Sequence, residues 1–173
     1  MRTIAPPLAA AFTLVEILIV GLVLMIAAAI VIPNIGSADD SQAIAAAAIL
    51  QSDLEVARSM AMTTQVPHSV VFSPDRQSYK VVANYTGVAY ASAVAINHPV
   101  LKGKLYEVRL NGLNGMGRVS VTSIAFGGQP YVTFQSLGDP TAAGSVVLHA
   151  GNIIMTVSVE AMTGIVSVTR TGG

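Results

Sequence analysis

Between Phe12 and Ile32 the chain carries one ionisable side chain, Glu16, within Phe12-Thr13-Leu14-Val15-Glu16-Ile17-Leu18-Ile19-Val20. An apolar run of about 20 residues has the length an α-helix needs to cross a bilayer core of about 30 Å. A carboxylate in such a helix is costly unless a positive charge meets it, so it marks a site whose partner must be found. The run itself contains no Lys, Arg or His. The simplest partner is a free α-amino group close by. The chemistry on offer is charge pairing that selects a helix register, with no bond made or broken.

Other constellations offer less. His68, His98 and His149 are scattered and lack H-x-x-x-H or H-E-x-x-H spacing, so they read as surface or strand histidines. No G-x-S-x-G elbow is present. Gly112, Gly115 and Gly117 fit neither G-x-G-x-x-G nor a Lys-terminated phosphate loop, and read as positive-φ residues of a turn. Asp39 and Asp40 fall short of the 6–8 oxygens that Ca²⁺ usually takes, and read as helix caps. No metal, cofactor or catalytic residue is expected. Nine basic and nine acidic residues balance, which removes any general attraction to nucleic acid. Cysteine is absent, so no disulfide framework exists. With no Trp and 5% aromatic residues, a stacking platform for bases or sugars is disfavoured.

Two elements must position Glu16 and whatever follows it. The first is the apolar helix, interrupted or bent at Pro33-Asn34-Ile35-Gly36-Ser37. The second restarts near Asp39, Asp40 or Ser41, where Ala43, Ala47, Leu50, Leu54, Ala57 and Ala61 recur at alternating spacings of four and three on one face. Glu55 and Arg58 are a possible surface pair on that helix. From Val66-Pro67 onward the pattern is β. Ser69–Phe72 and Tyr79–Tyr85 flank the turn-rich Ser73–Ser78 as a hairpin, followed by strands at Tyr106–Leu110, Arg118–Ser123, Tyr131–Gln135, Ser145–His149, Ile153–Val159 and Ile165–Thr169. Thr86–Gly103 reads as an irregular loop. The fold class is α+β, a long N-terminal helix packed on antiparallel sheet.

Ala11-Phe12-Thr13-Leu14-Val15-Glu16 resembles the N-terminal signal of type IV pilins and of the pseudopilins of type II secretion. The resemblance implies a leader, residues 1–11, removed between Ala11 and Phe12 by a prepilin peptidase that also methylates the Phe12 amine. It implies a transmembrane and assembly helix over 12–33, an amphipathic half over 34–65 and a periplasmic β domain over 66–173. Glu16 then serves assembly, and Pro33 is where the family's helix bends. Ala11 departs from the family's glycine before the cut.

Two plainer readings compete. Ala27-Ala28-Ala29 could serve an ordinary secretory signal, although the apolar run extends past it to Ile32 and only Arg2 is basic in the leader. A simple anchor, with Glu16 wet at the interface, is the other. In each case Arg2 and the free amine favour the cytoplasm.

Gln51–Met62, Pro67–Phe72, Asp75–Val81, Val132–Pro140 and Thr163–Val166 are similar to the GspH/FimT group of minor pseudopilins. That similarity implies a subunit near the tip of a short periplasmic pseudopilus for protein export. It would be held in the inner membrane by lipid and assembled with other pseudopilins on an inner-membrane platform. A minor type IV pilin for adhesion or DNA uptake, and a membrane-anchored or secreted binding domain that never assembles, are the alternatives.

Overall fold

The computed structural model of the protein describes residues 13–31, 37–113 and 115–172. Ala11, Phe12 and Pro33 lie outside the described residues. The chain divides into two units, 1–36 and 37–173.

In the first unit, α1 (Leu14–Val31) contains no proline and is apolar on all sides apart from Glu16. Its large apolar side chains from Leu14 to Ile26 are 53–75% exposed. Over 18 residues α1 rises about 27 Å, against about 30 Å of bilayer core, and among the described residues no helix is long and apolar enough to cross a membrane.

The second unit opens with α2 (Ser37–Thr64). It begins earlier than its expected caps, so Asp39 and Asp40 fall in the first turn, where their charge opposes the positive end of the helix dipole. Arg118 Nη1 donates to Asp39 Oδ2 at 2.8 Å, and the Asn152 amide donates to Asp40 Oδ1 at 3.3 Å. These carboxylates therefore fasten the start of α2 to the β strands. The helix ends as Gln65 enters the left-handed region (φ 56°). Ala43, Ala47, Leu50, Leu54, Ala57 and Ala61 are all completely buried, as their spacing requires. The Glu55–Arg58 pair does not form. Glu55 instead accepts from Gln51 Nε2 at 3.1 Å, and Arg58 Nε reaches the Gly138 carbonyl at 3.1 Å, because a loop packed on α2 offers it an acceptor.

The strands form two four-stranded antiparallel sheets. In the first, β1 (His68–Phe72), β2 (Ser78–Ala83), β3 (Glu107–Arg109) and β5 (Tyr131–Phe134) lie in the order β3-β2-β1-β5. In the second, β4 (Ser120–Phe126), β6 (Gly144–Ala150), β7 (Ile153–Val159) and β8 (Val166–Gly172) lie in the order β4-β6-β7-β8. The expected hairpin is β1–β2, with Phe72 opposite Tyr79. Its turn is pinned by Asp75, which accepts from the Ser73 hydroxyl and, at 3.1 Å, from the Gln77 amide; these bonds hold the Asp75 carboxyl below its usual value. The α2 stripe is buried in one core with the alternate residues Val70, Phe72, Tyr79 and Val81 of the first sheet and Val146, Leu148, Met155 and Val157 of the second.

The segment between β2 and β3 is irregular apart from a 3₁₀ turn at Tyr90–Ser92, yet it is anchored by Ile96, whose amide donates to Val81 and whose carbonyl accepts from Tyr106. Of the three turn glycines, Gly115 alone has a positive φ (80°) among the described residues. Gly112 instead lies against the Arg109 side chain, 3.2 Å from where a Cβ would stand.

Gly144 is required by close approach. A Cβ there would stand 2.0 Å from the Ala125 carbonyl oxygen and 2.5 Å from a Phe126 ring carbon. Gly144→Ala is therefore expected to push β4 off β6 and to cost at least about 1–3 kcal/mol, read as a lower urea midpoint.

Candidate assembly site

Glu16 lies at the third residue of α1. Its amide donates to Thr13 Oγ1 at 3.2 Å and to the Thr13 carbonyl at 3.1 Å, so Thr13 caps the helix. The Thr13-x-x-Glu16 spacing is that of a capping box, a local signal that the sequence carries beside the charge. The reciprocal bond from the Glu16 carboxylate is not made among the described residues, and the side chain stands exposed without a hydrogen-bond or ion-pair partner there. Among the described residues α1 thus carries one carboxylate without a partner, near one end of an otherwise apolar rod. Phe12, its expected counterpart, lies outside the described residues.

The globular unit supplies a second polar centre that no local motif announces. Asp53 projects from α2 and accepts two phenols, Tyr79 of β2 at 2.5 Å and Tyr106, which precedes β3, at 2.8 Å. Both tyrosines are essentially buried. Burial foremost, with the Asp53 charge and hydrogen bonds adding to it, raises both phenols above their ordinary value of 10.0. The carboxylate thereby ties α2 to the first sheet and to the irregular segment. This arrangement is a brace between helix and sheet, and Asp53 also lines a concavity of about 350 Å³ beside it.

The raised phenols set an alkaline limit. Above pH 10 the unfolded chain loses phenol protons that the folded chain keeps, so folding stability is complete below that value and falls as pH rises through the folded values. Each phenol contributes a slope of up to about 1.4 kcal/mol per pH unit. Melting curves between pH 9 and 11.5 should show this decline, and Tyr79→Phe should make it shallower.

The histidines do not assemble. His68 is buried in β1 with Nδ1 2.7 Å from the Val66 carbonyl, and His98 Nδ1 accepts from the Val100 and Leu101 amides at 3.1 and 3.2 Å. His149 sits half-buried in β6. Among the described residues no group of three His, Cys, Asp or Glu side chains is placed to hold a metal.

At the far end of α2 two turns meet. Gly138 (φ 88°) and Gly164 (φ 65°) approach so closely that a Cβ on Gly164 would lie 2.2 Å from the Gly138 carbonyl oxygen. The turns carry Leu137 and Met162 almost fully into solvent.

Residues 46–164 match the family described as Type II transport protein GspH. No curated protein sequence matches the chain. In fold it is similar to the type IV minor pilin FimU of Pseudomonas aeruginosa, with a TM-score of 0.57 and 12% identity over 78% of this chain and 94% of that one. It is also similar to EpsH, a minor pseudopilin of the Type 2 Secretion System of Vibrio cholerae, with a TM-score of 0.53 and 10% identity over 76% of this chain and 97% of that one. At such identities the likeness establishes the fold.

Proposed function

Because the chain belongs to the Type II transport protein GspH family, we propose that it is a minor pseudopilin that enters the pseudopilus of a type II secretion-like system for protein export. The observation that carries this reading is α1, an apolar helix exposed on every described side and broken by one carboxylate. A helix that is apolar all round needs either lipid or other helices around it. Completed by Phe12 and the residues up to Pro33, it would be held in the inner membrane before assembly and in a helical bundle afterwards, with the β domain on the periplasmic side.

In that bundle the Phe12 amine of one subunit approaches Glu16 of its neighbour, each offsetting the other's desolvation. Prepilin peptidase frees that amine by cutting after Ala11 and methylates it. The inner-membrane platform and the other pseudopilins are the remaining partners. The role is structural, without a cofactor or a catalytic step.

N-terminal sequencing and intact mass of the chain from native membranes test this reading. The expected product begins at Phe12 and carries one methyl group. A soluble product starting near Ile30 would mean a secretory signal, and an uncut Met1 terminus would mean an anchor alone; either result overturns the proposal. The fold likeness to FimU favours a second reading, a minor type IV pilin. Crosslinking in native membranes separates the two through the identity of the pilin-like chains captured.

A further inference from the structure

The outer face of the first sheet, opposite its core face, is roofed by the segment after β2. Asn84 (φ 50°) and Gly87 (φ 79°) turn the chain there, and the Asn84 amide is held by the Pro67 carbonyl at 2.9 Å. The turn lays Tyr85 edge-on against Tyr131 of β5, with ring centroids 4.9 Å apart. Tyr85 is further fixed by its hydroxyl, which donates to the Val88 carbonyl. The two rings and Gly87 form a ridge with a concavity on each side, of about 420 and 260 Å³. Such volumes lie in or just below the roughly 300–1,000 Å³ of small-molecule sites.

The lining is unusual in two respects. Neither concavity is lined by a single Asp, Glu, Lys, Arg or His. Three of the chain's five tyrosines are gathered there, Tyr85, Tyr90 and Tyr131. Tyr90 is itself occupied, its hydroxyl within 3.0 Å of Ser78 Oγ and Glu107 Oε1 and its ring under the Lys80 ammonium. Tyr131 differs, because its hydroxyl makes no hydrogen bond among the described residues, nor do the side-chain amides of Asn84, Gln129 and Gln135 around it. Rigid aromatic faces beside unpaired neutral donors and acceptors recognise ligands that combine apolar C–H faces with many hydroxyls. The absence of charge offers no ionic contact to phosphates, nucleic acids or charged peptides. A neutral sugar chain fits both conditions.

We propose that this two-sided groove binds a neutral oligosaccharide, with one or more sugar rings on each side of the Tyr85–Tyr131 ridge. The aromatic scarcity that disfavours sugar stacking in the sequence is offset by concentration of the tyrosines on one face. The inference stands apart from the assembly role and does not depend on which filament the chain enters.

The test uses the full chain in a zwitterionic detergent without a sugar headgroup, titrated with triacetylchitotriose, cellotriose and maltotriose. Tyrosine emission, free of tryptophan in this chain, reports binding. At least one trisaccharide should bind saturably, with an affinity unchanged between 0.05 and 0.5 M salt because no charge lines the groove. Tyr131→Ala should weaken it about tenfold or more through lost ring contact, and Tyr131→Phe about threefold through the lost hydroxyl. Gln135→Ala, whose side chain makes no hydrogen bond among the described residues, should weaken binding while leaving the thermal melt in place. Three results would overturn the proposal: no saturable binding of any trisaccharide at 20 mM, binding indifferent to both Tyr131→Phe and Gln135→Ala, or tighter binding of a proline-rich decapeptide at the same residues.

Discussion

Replacing Glu16 by leucine is expected to leave the globular unit folded and to remove the chain from its filament. The substitution takes away the one charge on α1, so in the proposed bundle the neighbouring Phe12 amine would be buried without a counter-ion. An uncompensated buried charge of this kind typically costs about 3–5 kcal/mol, enough to reduce incorporation by about two to four orders of magnitude. Glu16→Gln distinguishes pairing from helix capping. Glutamine serves at the third position of a capping box as glutamate does, but carries no charge. If Glu16 acts through charge, both variants fail in crosslinking to other pilin-like chains while the melt of the globular unit is unchanged. Normal incorporation of Glu16→Gln would reduce the residue to part of a helix start.

The largest stability effect of a polar substitution is expected at Asp53. Asp53→Ala removes the acceptor of both the Tyr79 and Tyr106 phenols, which remain buried. An unsatisfied buried polar group costs about 1–3 kcal/mol, so the pair should cost about 2–6 kcal/mol. Asp53→Asn keeps one oxygen acceptor and should cost less. Urea unfolding reads both values, and a cycle with Tyr79→Phe isolates the coupling within the brace. A loss under 0.5 kcal/mol for Asp53→Ala, by the same scale, would show that water replaces the carboxylate at no cost.

What could be read in the sequence was whatever repeats locally. The α2 stripe from Ala43 to Ala61 and the β1–β2 hairpin follow from spacings of three, four and two. The stripe is buried as expected; the hairpin forms, but its second strand ends at Ala83, where Asn84 turns the chain, and not at Tyr85. The sequence offered no such handle on Asp53. Its partners lie 26 and 53 residues away, and a carboxylate off the apolar stripe looks like any solvated side chain. The Glu55–Arg58 pair failed for the converse reason, since the helix spacing was right but a distant carbonyl at Gly138 competed for the guanidinium. Division of the strands between two sheets was also hidden, because β5 joins β1 through partners such as Ser69 and Thr133, 64 residues apart in sequence. Of the candidate site, Glu16 is legible as a carboxylate in an apolar run, and the Thr13 spacing that caps its helix is masked by the apolar residues around it. The tyrosine groove depends on a fold-back of the segment after β2 that no periodicity encodes.

The order in which α2 and its cover leave the ribosome has a cost in time. Gln51 of α2 reaches the Val166 carbonyl of β8, 115 residues later, and Asp40 reaches the Asn152 amide, 112 residues later. At ordinary rates of synthesis that interval is on the order of ten seconds. Until it ends the alanine and leucine face of α2 has β1 and β2 beside it but lacks β7 and β8, which complete its cover, and closing so long a loop delays the reward of those contacts. A nascent chain halted before Val166 would hold a finished helix with an unfinished core, a form prone to aggregate unless a chaperone or a membrane surface covers it.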